Sequence, residues 1–282
     1  MTLPKYQQAI KLGLTMHGRM FYLLSDQYVG GSLDKFGAYS QSETNFLRLI
    51  LQPDWVCIDG GANHGVFTLE MARRSAKVIS VEPQPLMAEL IMANVAINEL
   101  SHKVIMYHGG LGAENTMIKI PMMNYNELNN YGAYSLDMEA PNEHKFPIPI
   151  TTIDKLTEGL KVDFIKLDIE GMELDALRGA AHVIEKCRPV MLIECDKEDS
   201  GPAVLEYIDQ LDYDMYWLRT LLWQDKNPFG CSWEDNPFGA QASFNLYCVP
   251  RGGQAIEGLP RAYVGDRPGF CETSVVTVVD DA

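Results

Sequence analysis

The stretch Val56-Cys57-Ile58-Asp59-Gly60-Gly61-Ala62-Asn63-His64-Gly65-Val66-Phe67 changes character halfway along, and that change decides the fold. Residues 55–58 are apolar and β-prone, and the run ends at Asp59. Glycines at 60, 61 and 65 permit a tight turn and a close approach of ligand to backbone. Residues 66–74 then read as a helix. A strand that turns through glycines into a helix is the opening of a βαβ unit.

The alternation continues on both sides of residue 100. Residues 77–82 read as the second strand and 85–100 as a helix, with Pro85 suited to its first turn. Leu86, Leu90, Ile91, Val95 and Ile97 recur at roughly helical spacing. Strands follow at 103–107, 162–168 and 189–195, helices at 172–186 and 202–211, and two further strands at 213–218 and 243–249. Such alternation implies right-handed crossovers and a mainly parallel sheet. The β-runs are almost wholly apolar, as expected when both sheet faces are covered. In sheets of this kind ligands bind beyond the carboxyl ends of the strands. The segments after Ile58, Val81, Leu167 and Ile193 are therefore the places to look, and each begins with or soon reaches an acidic residue.

Two stretches break the pattern and read as insertions over the ligand-binding edge. Residues 112–160 hold short β-like pieces at 116–120 and 148–152 around an Asn-rich loop. Residues 220–242 are rich in aromatics, Pro and Gly, and repeat Asn-Pro-Phe-Gly at 227–230 and 236–239. The aromatic-rich part, 217–233, reads as a packed lid. Residues 1–52 form a lead-in element, in which Ser40-Gln41-Ser42-Glu43 has capping-box spacing before an apolar run. The central domain is expected over 53–250, and 251–282 as a loose or surface-wrapping tail.

Composition narrows the partners. The chain has 282 residues and a formal net charge of −15. Phosphate binding needs a dense basic surface, so nucleic acid and anionic membrane are disfavoured. An uncharged or cationic substrate fits better. The N-terminal residues lack the apolar core of a signal peptide, and no run approaches the ~20 apolar residues of a bilayer span. The six cysteines form no C-x-x-C pair and read as reduced core thiols of a cytoplasmic protein.

The glycine turn by itself admits two cofactors. Gly60-x-Ala62-x-x-Gly65 approximates the dinucleotide fingerprint, and Glu82, ending the second strand, suits the ribose diol of either ligand. Asp59 favours a ligand with an ammonium group, such as the methionine half of S-adenosylmethionine (SAM), over a pyrophosphate. The fourth strand, Val162-Asp163-Phe164-Ile165-Lys166-Leu167-Asp168-Ile169-Glu170-Gly171-Met172-Glu173, crowds carboxylates and a lysine at its end. Strand alternation puts Lys166, Asp168 and Glu170 on one face. Lys166 is expected in a network with carboxylates, Glu173 at a helix start, and Asp168 facing the cleft.

At these residues the sequence resembles the FkbM family of SAM-dependent methyltransferases. The likeness is carried by Ile58 to Gly65, by Val81-Glu82-Pro83, and most specifically by Asp163 to Glu173. Smaller echoes are Gly37 to Glu43, Asn94 with Asn98, and Pro189 to Glu194. The resemblance implies an α/β, Rossmann-like class I methyltransferase sheet of seven strands with the last antiparallel. It implies that Asp59, Gly60, Gly61, Ala62, Asn63 and Gly65 wrap the methionine half of SAM. Glu82 and Pro83 would meet the ribose, and Gly110 and Leu111 would lie near the adenine. Glu43 would reach the cofactor loop from the lead-in helix, although the capping box explains it nearly as well. His64 departs from the family, where an aliphatic residue is usual; contact with the cofactor or substrate is one reading, and a tolerated loop side chain is the favoured one.

The expected reaction is O-methylation of a small metabolite or sugar, with Asp168 or Glu170 removing the acceptor's proton or orienting it. Asp168 with Glu194 on a divalent cation is a secondary expectation. An NAD(P)-dependent oxidoreductase and a non-catalytic SAM-binding protein are the alternatives. Oligomeric state is not legible.

Overall fold

The computed structural model describes residues 10–133, 145–222 and 226–267. The N-terminal residues read for a leader, Cys271, the end of the tail, and parts of both insertions lie outside these residues.

The chain opens with β1 (Ile10–Thr15), β2 (Gly18–Leu23), α1 (Val29–Phe36) and α2 (Gln41–Ile50). Next come β3 (Val56–Gly60), α3 (Val66–Arg74), β4 (Lys77–Glu82), α4 (Pro85–Ile97) and β5 (Val104–His108). The first insertion supplies β6 (Gly110–Leu111), β7 (Thr116–Pro121), β8 (Lys145–Thr151) and the short α5 (Ile153–Leu156). The second half runs β9 (Phe164–Leu167), α6 (Glu173–Arg178), α7 (Ala181–Cys187), β10 (Val190–Glu194), α8 (Gly201–Gln210), β11 (Tyr213–Leu221), β12 (Ala242–Pro250) and β13 (Arg261–Ala262).

The main sheet has the order β13-β11-β12-β10-β9-β3-β4-β5. Strands β5, β4, β3, β9 and β10 are mutually parallel. Strand β12 runs antiparallel to both β10 and β11. Seven long strands with only the last reversed make the Rossmann-like class I methyltransferase sheet that the resemblance implied. The addition is β13, two residues paired to Met215 and Tyr216 at the edge. It forms because the start of the tail wraps the sheet: Trp217 donates its N–H to Pro260 O at 2.8 Å and its Nε1–H to Asp266 at 2.9 Å.

Alternation along the central strands divides the core. Cys57, Phe164 and Leu192 pack into one apolar cluster with Phe46, Leu69 and Val95. Their neighbours Ile58, Ile165 and Ile193 pack into the other with Leu177, Ile184 and Leu205. Both faces are thus covered, which accounts for the continuous apolar runs. Lead-in residues Met20, Leu33, Phe46 and Leu47 belong to the first cluster, so this element shares the domain's core. Among the described residues no helix is long and apolar enough to cross a membrane.

Three local expectations are corrected. The helix read over 172–186 is two helices broken at Gly179, where a Cβ would stand 2.1 Å from Gly112 O. The second of them is capped by Asp154, which accepts from the N–H groups of His182 and Val183 at 3.0 and 2.9 Å. Strand β9 stops at Leu167, and Glu170 and Gly171 turn the chain with φ of 56° and 100°, so alternation does not extend to Glu170. The capping box does not form either. Ser40 is left-handed (φ 42°) and makes no backbone cap, and its hydroxyl donates to Glu43 Oε2 at 3.1 Å.

Candidate functional site

A cleft of about 750 Å³ opens at the carboxyl ends of β3, β4 and β9. Gly61, Ala62, Asn63, Glu82, Pro83, Gly110, Leu111, Asp168 and Glu170 line it, together with Tyr39, His64, Gln84 and Gly132. Asp59, Gly60, Gly65 and Glu43 do not line it.

The loop is shaped by backbone geometry. Gly61 has φ 79°, and a Cβ there would fall 1.8 Å from Asp168 O, so only glycine lets the loop lie against the end of β9. The N–H groups of Gly61 and Ala62 both donate to Val81 O, at 3.0 and 3.1 Å. The loop therefore offers closeness to a ligand rather than free donors at these two positions. Gly65, also left-handed, caps α3.

Glu82 is the best-organised acceptor in the cleft. Its Oε2 accepts from Asn63 N at 2.8 Å and its Oε1 from Gln84 N at 2.9 Å. Each oxygen keeps a further lone pair. The side chain is 3% exposed. Burial pushes its carboxyl up to about 7, against the pull of the two backbone N–H groups.

Asp59 corrects an expectation. It is fully buried behind the loop, where the hydroxyl of Thr68 on α3 donates to Oδ2. Its Oδ1 has no hydrogen-bond partner among the described residues. Burial raises its carboxyl. Thr68 draws the carboxylate towards the helix, so Asp59 supports the loop instead of forming the cleft wall.

On the neighbouring strand β9, in register with Asp59, Lys166 is completely buried and organises the carboxylates. Its Nζ lies 2.9 Å from Asp168 Oδ2, 3.8 Å from Glu43 Oε1 and 4.3 Å from the centre of the Phe67 ring. Burial opposes its charge, but Asp168 and Glu43 outweigh it and raise the lysine's proton affinity. Glu43 thus lies beside Lys166 and outside the cleft lining; burial lifts it to about 7 despite the lysine. Glu170 pairs with Lys197 at 2.7 Å. One carboxylate oxygen each from Asp168, Glu170 and Glu194 lie within 4.8 Å of one another. Burial, then Asp168 and Asp196, push Glu194 well above the usual carboxylate range. Glu173 folds back as a helix-start carboxylate, accepting from Ile169 N and Gly171 N, both at 3.0 Å.

Sequence reasoning missed Tyr39, Gln84 and Gly132, and favoured the wrong reading of His64. His64 is fully buried and hydrogen-bonded, not a tolerated loop side chain. Gln84 donates to Tyr131 O at 2.8 Å and so fastens the first insertion beside Glu82. Tyr39 stands edge-on to Phe67 with ring centres 6.4 Å apart.

The residues present fit SAM. Glu82 suits a diol, and the glycines admit a close ligand. They suit a dinucleotide less well. Among the described residues none that lines the cleft is Lys or Arg, whereas Glu82, Asp168 and Glu170 all face it.

A profile described as the methyltransferase FkbM domain matches residues 59–215, more than half of the chain. Methyltransferase 1 of Beauveria bassiana (strain ARSEF 2860) is 30% identical over 146 residues, 45% of this chain and 58% of that protein. Methyltransferase sdnD of Sordaria araneosa is 24% identical over 152 residues, 43% of this chain and 59% of that protein. The match therefore spans less than two thirds of the length of either relative. Among solved structures, an FkbM methyltransferase from Methylobacillus flagellatus KT has TM-score 0.45 and 16% identity, with 72% of this chain and 50% of that chain covered. A precorrin-6y C5,15-methyltransferase from Geobacter metallireducens GS-15 has TM-score 0.47 and 14% identity, with 77% and 94% covered.

Proposed function

This chain belongs to the FkbM methyltransferase family, and from that premise we propose that it transfers a methyl group from SAM to a hydroxyl of a small metabolite or sugar. The observation that carries the reading is the buried Glu82 carboxylate, fixed in the cleft wall by two backbone N–H groups. Its free lone pairs suit the paired hydroxyls of a ribose.

When bound, SAM supplies a methyl on a sulfonium, open to in-line displacement. The chain's own work is to align the acceptor, exclude water and receive a proton. Glu82 and Pro83 would hold the ribose, Gly110 and Leu111 would flank the adenine, and Gly61 to Asn63 would lie along the ligand. Asp168 or Glu170 faces the acceptor and takes its proton or orients its hydroxyl. Lys166 and Lys197 hold these carboxylates in place. The concentration of acidic groups here, with Glu194 and Asp196, favours a neutral or cationic acceptor over a phosphate or carboxylate. With a net charge of −15, nucleic acid and anionic membrane are not the partners in this reading. The five described cysteines are free, which agrees with a cytoplasmic setting.

Thermal unfolding with added ligand tests the cofactor. S-adenosylhomocysteine should raise Tm and NADH should not; the reverse result would return the protein to the oxidoreductase class. Radiolabelled methyl transfer to a panel of hydroxylated metabolites and sugars then tests catalysis. Binding without transfer to any extract would leave a silent SAM-binding protein. The closeness of Asp168, Glu170 and Glu194 supports a second reading with a divalent cation. Loss of transfer on exhaustive chelation, restored by Mg²⁺ or Mn²⁺, would select it.

A further inference from the structure

We propose that His64 is a positioning residue for the cofactor, tying the N-terminal lead-in element to the loop that the ligand lies against. This rests on the SAM reading of the cleft.

The geometry is specific. His64 is wholly buried, and its Nε2 accepts the backbone N–H of Leu23, at the end of β2, at 3.2 Å. An accepting Nε2 places the proton on Nδ1. Nδ1 faces the side-chain oxygen of Asn63 and lies 3.5 Å from Asp26 Oδ2. Asp26 is itself fully buried and accepts from Tyr28 N at 3.2 Å and Gly30 N at 3.0 Å. The histidine ring is thus held between β2, the turn before α1 and the preceding residue of its own loop. Burial disfavours the imidazolium, so the ring stays neutral and remains an acceptor.

What the ring holds matters for the ligand. Asn63 carries the N–H that donates to Glu82 Oε2 at 2.8 Å. The carbonyl of His64 accepts from Asn94 Nδ2 at 3.0 Å, and the same amide group donates to Phe21 O at 3.0 Å. Two side chains, His64 and Asn94, therefore clamp β2 onto the loop. The turn of Ser25 to Gln27 also grips the first insertion. Gln27 N donates to Asn129 O at 2.8 Å and Asn129 N to Ser25 O at 3.0 Å. That insertion brings Gly132 into the cleft wall. One lead-in turn is thus fastened to two walls of the cleft, and His64 is its link to the wall that sets Glu82.

Replacement with leucine fills the space but supplies no acceptor; glutamine places an amide oxygen near the position of Nε2. The test is calorimetric titration with S-adenosylhomocysteine of the wild type, His64→Leu and His64→Gln, with amide hydrogen exchange on each. His64→Leu should bind the analogue about tenfold or more weakly, the effect of one buried acceptor lost, and His64→Gln should recover most of it. Analogue binding should slow exchange of the Leu23 amide in the wild type and not in His64→Leu, since coupling is reciprocal. A lowered Tm with wild-type affinity in His64→Leu would reduce the residue to a structural one and overturn the proposal. If the wild type does not bind the analogue, the SAM reading fails separately. The tie is then judged on the free protein, where His64→Leu must speed exchange at both Leu23 and Asn63, and unchanged exchange at either refutes it.

Discussion

Replacing Glu82 by glutamine should separate stability from ligand binding. The buried carboxyl is raised from 4.5 to about 7. A shift of that size corresponds to roughly 3 kcal/mol of penalty on the ionised form. The sign follows from proton uptake. Between pH 4.5 and about 7 the folded protein holds a proton that the unfolded chain has released. Stability from this group therefore falls as pH rises through that window, and the full penalty applies above it. E82Q removes the penalty but turns an NH₂ towards one of the two backbone N–H groups, a mismatch that costs about 1–3 kcal/mol. The two effects nearly cancel, so Tm of the free protein at pH 8 should change little. Binding should not be spared. A hydrogen bond to a charged acceptor contributes about 1.5–3 kcal/mol, and losing one weakens S-adenosylhomocysteine by ~10–100-fold. If the ionised carboxylate is the binding form, the wild type should also bind about tenfold tighter at pH 8 than at pH 6, and E82Q should lose that slope. Calorimetry at both pH values is the assay. Equal affinities and equal slopes in the two proteins would refute the assignment of Glu82 to the ribose.

Other perturbations address the frame of the site. G61A must place its Cβ 1.8 Å from Asp168 O at φ 79°; the strained backbone alone costs ~1–3 kcal/mol, and both Tm and analogue binding should fall sharply. K166M should destabilise by about 3–5 kcal/mol, because Glu43, Asp59 and Asp168 lose their buried counter-charge. Urea unfolding should show a smaller loss at pH 5 than at pH 8, since protonated carboxyls no longer need the lysine. Burial alone would raise Glu70, but the proximity of His17 and the paired hydrogen bonds of Arg48, both at 2.9 Å, bring it down to about 2. Its contribution, roughly 3 kcal/mol, is complete above pH 4.5 and is lost as pH falls through about 2. The stability of E70Q should lack that acid slope.

The sheet was readable because its strands are apolar on both faces and its glycines stand where strands end. Gly61, Glu82, Gly110 and Asp168 lie at such ends, and the cleft gathers them. What escaped the sequence depended on residues far away in it. Asp59 turns inward because Thr68 offers it a hydroxyl. Glu170 leaves the face of Lys166 because the chain takes a left-handed turn at 170 and 171. Helix 172–186 breaks because Gly179 must pass close to Gly112. His64 is interpretable only with Leu23, 41 residues earlier. Periodicity reports the environment along one element; these choices are made where separate elements meet.

The placement of β9 between β3 and β10 also bears on the order of assembly. Asp163 seals the β3–β9 seam, accepting from Val56 N at 3.0 Å across 107 residues of chain and donating its own N–H to Val56 O at 2.9 Å. The pairings of β3 with β4 and of β4 with β5 close far shorter loops. Loop entropy rises with length, and contacts distant in sequence form slowly. The two halves of the sheet can therefore gain structure before they join. Gly61 packs on the backbone of Asp168 across that seam, so the cleft cannot exist until it shuts. Refolding followed by capture of S-adenosylhomocysteine should lag behind refolding followed by far-ultraviolet circular dichroism; coincident curves would mean that the seam closes with the first strands. Ligand binding is in this sense a report on the last stitch of the fold.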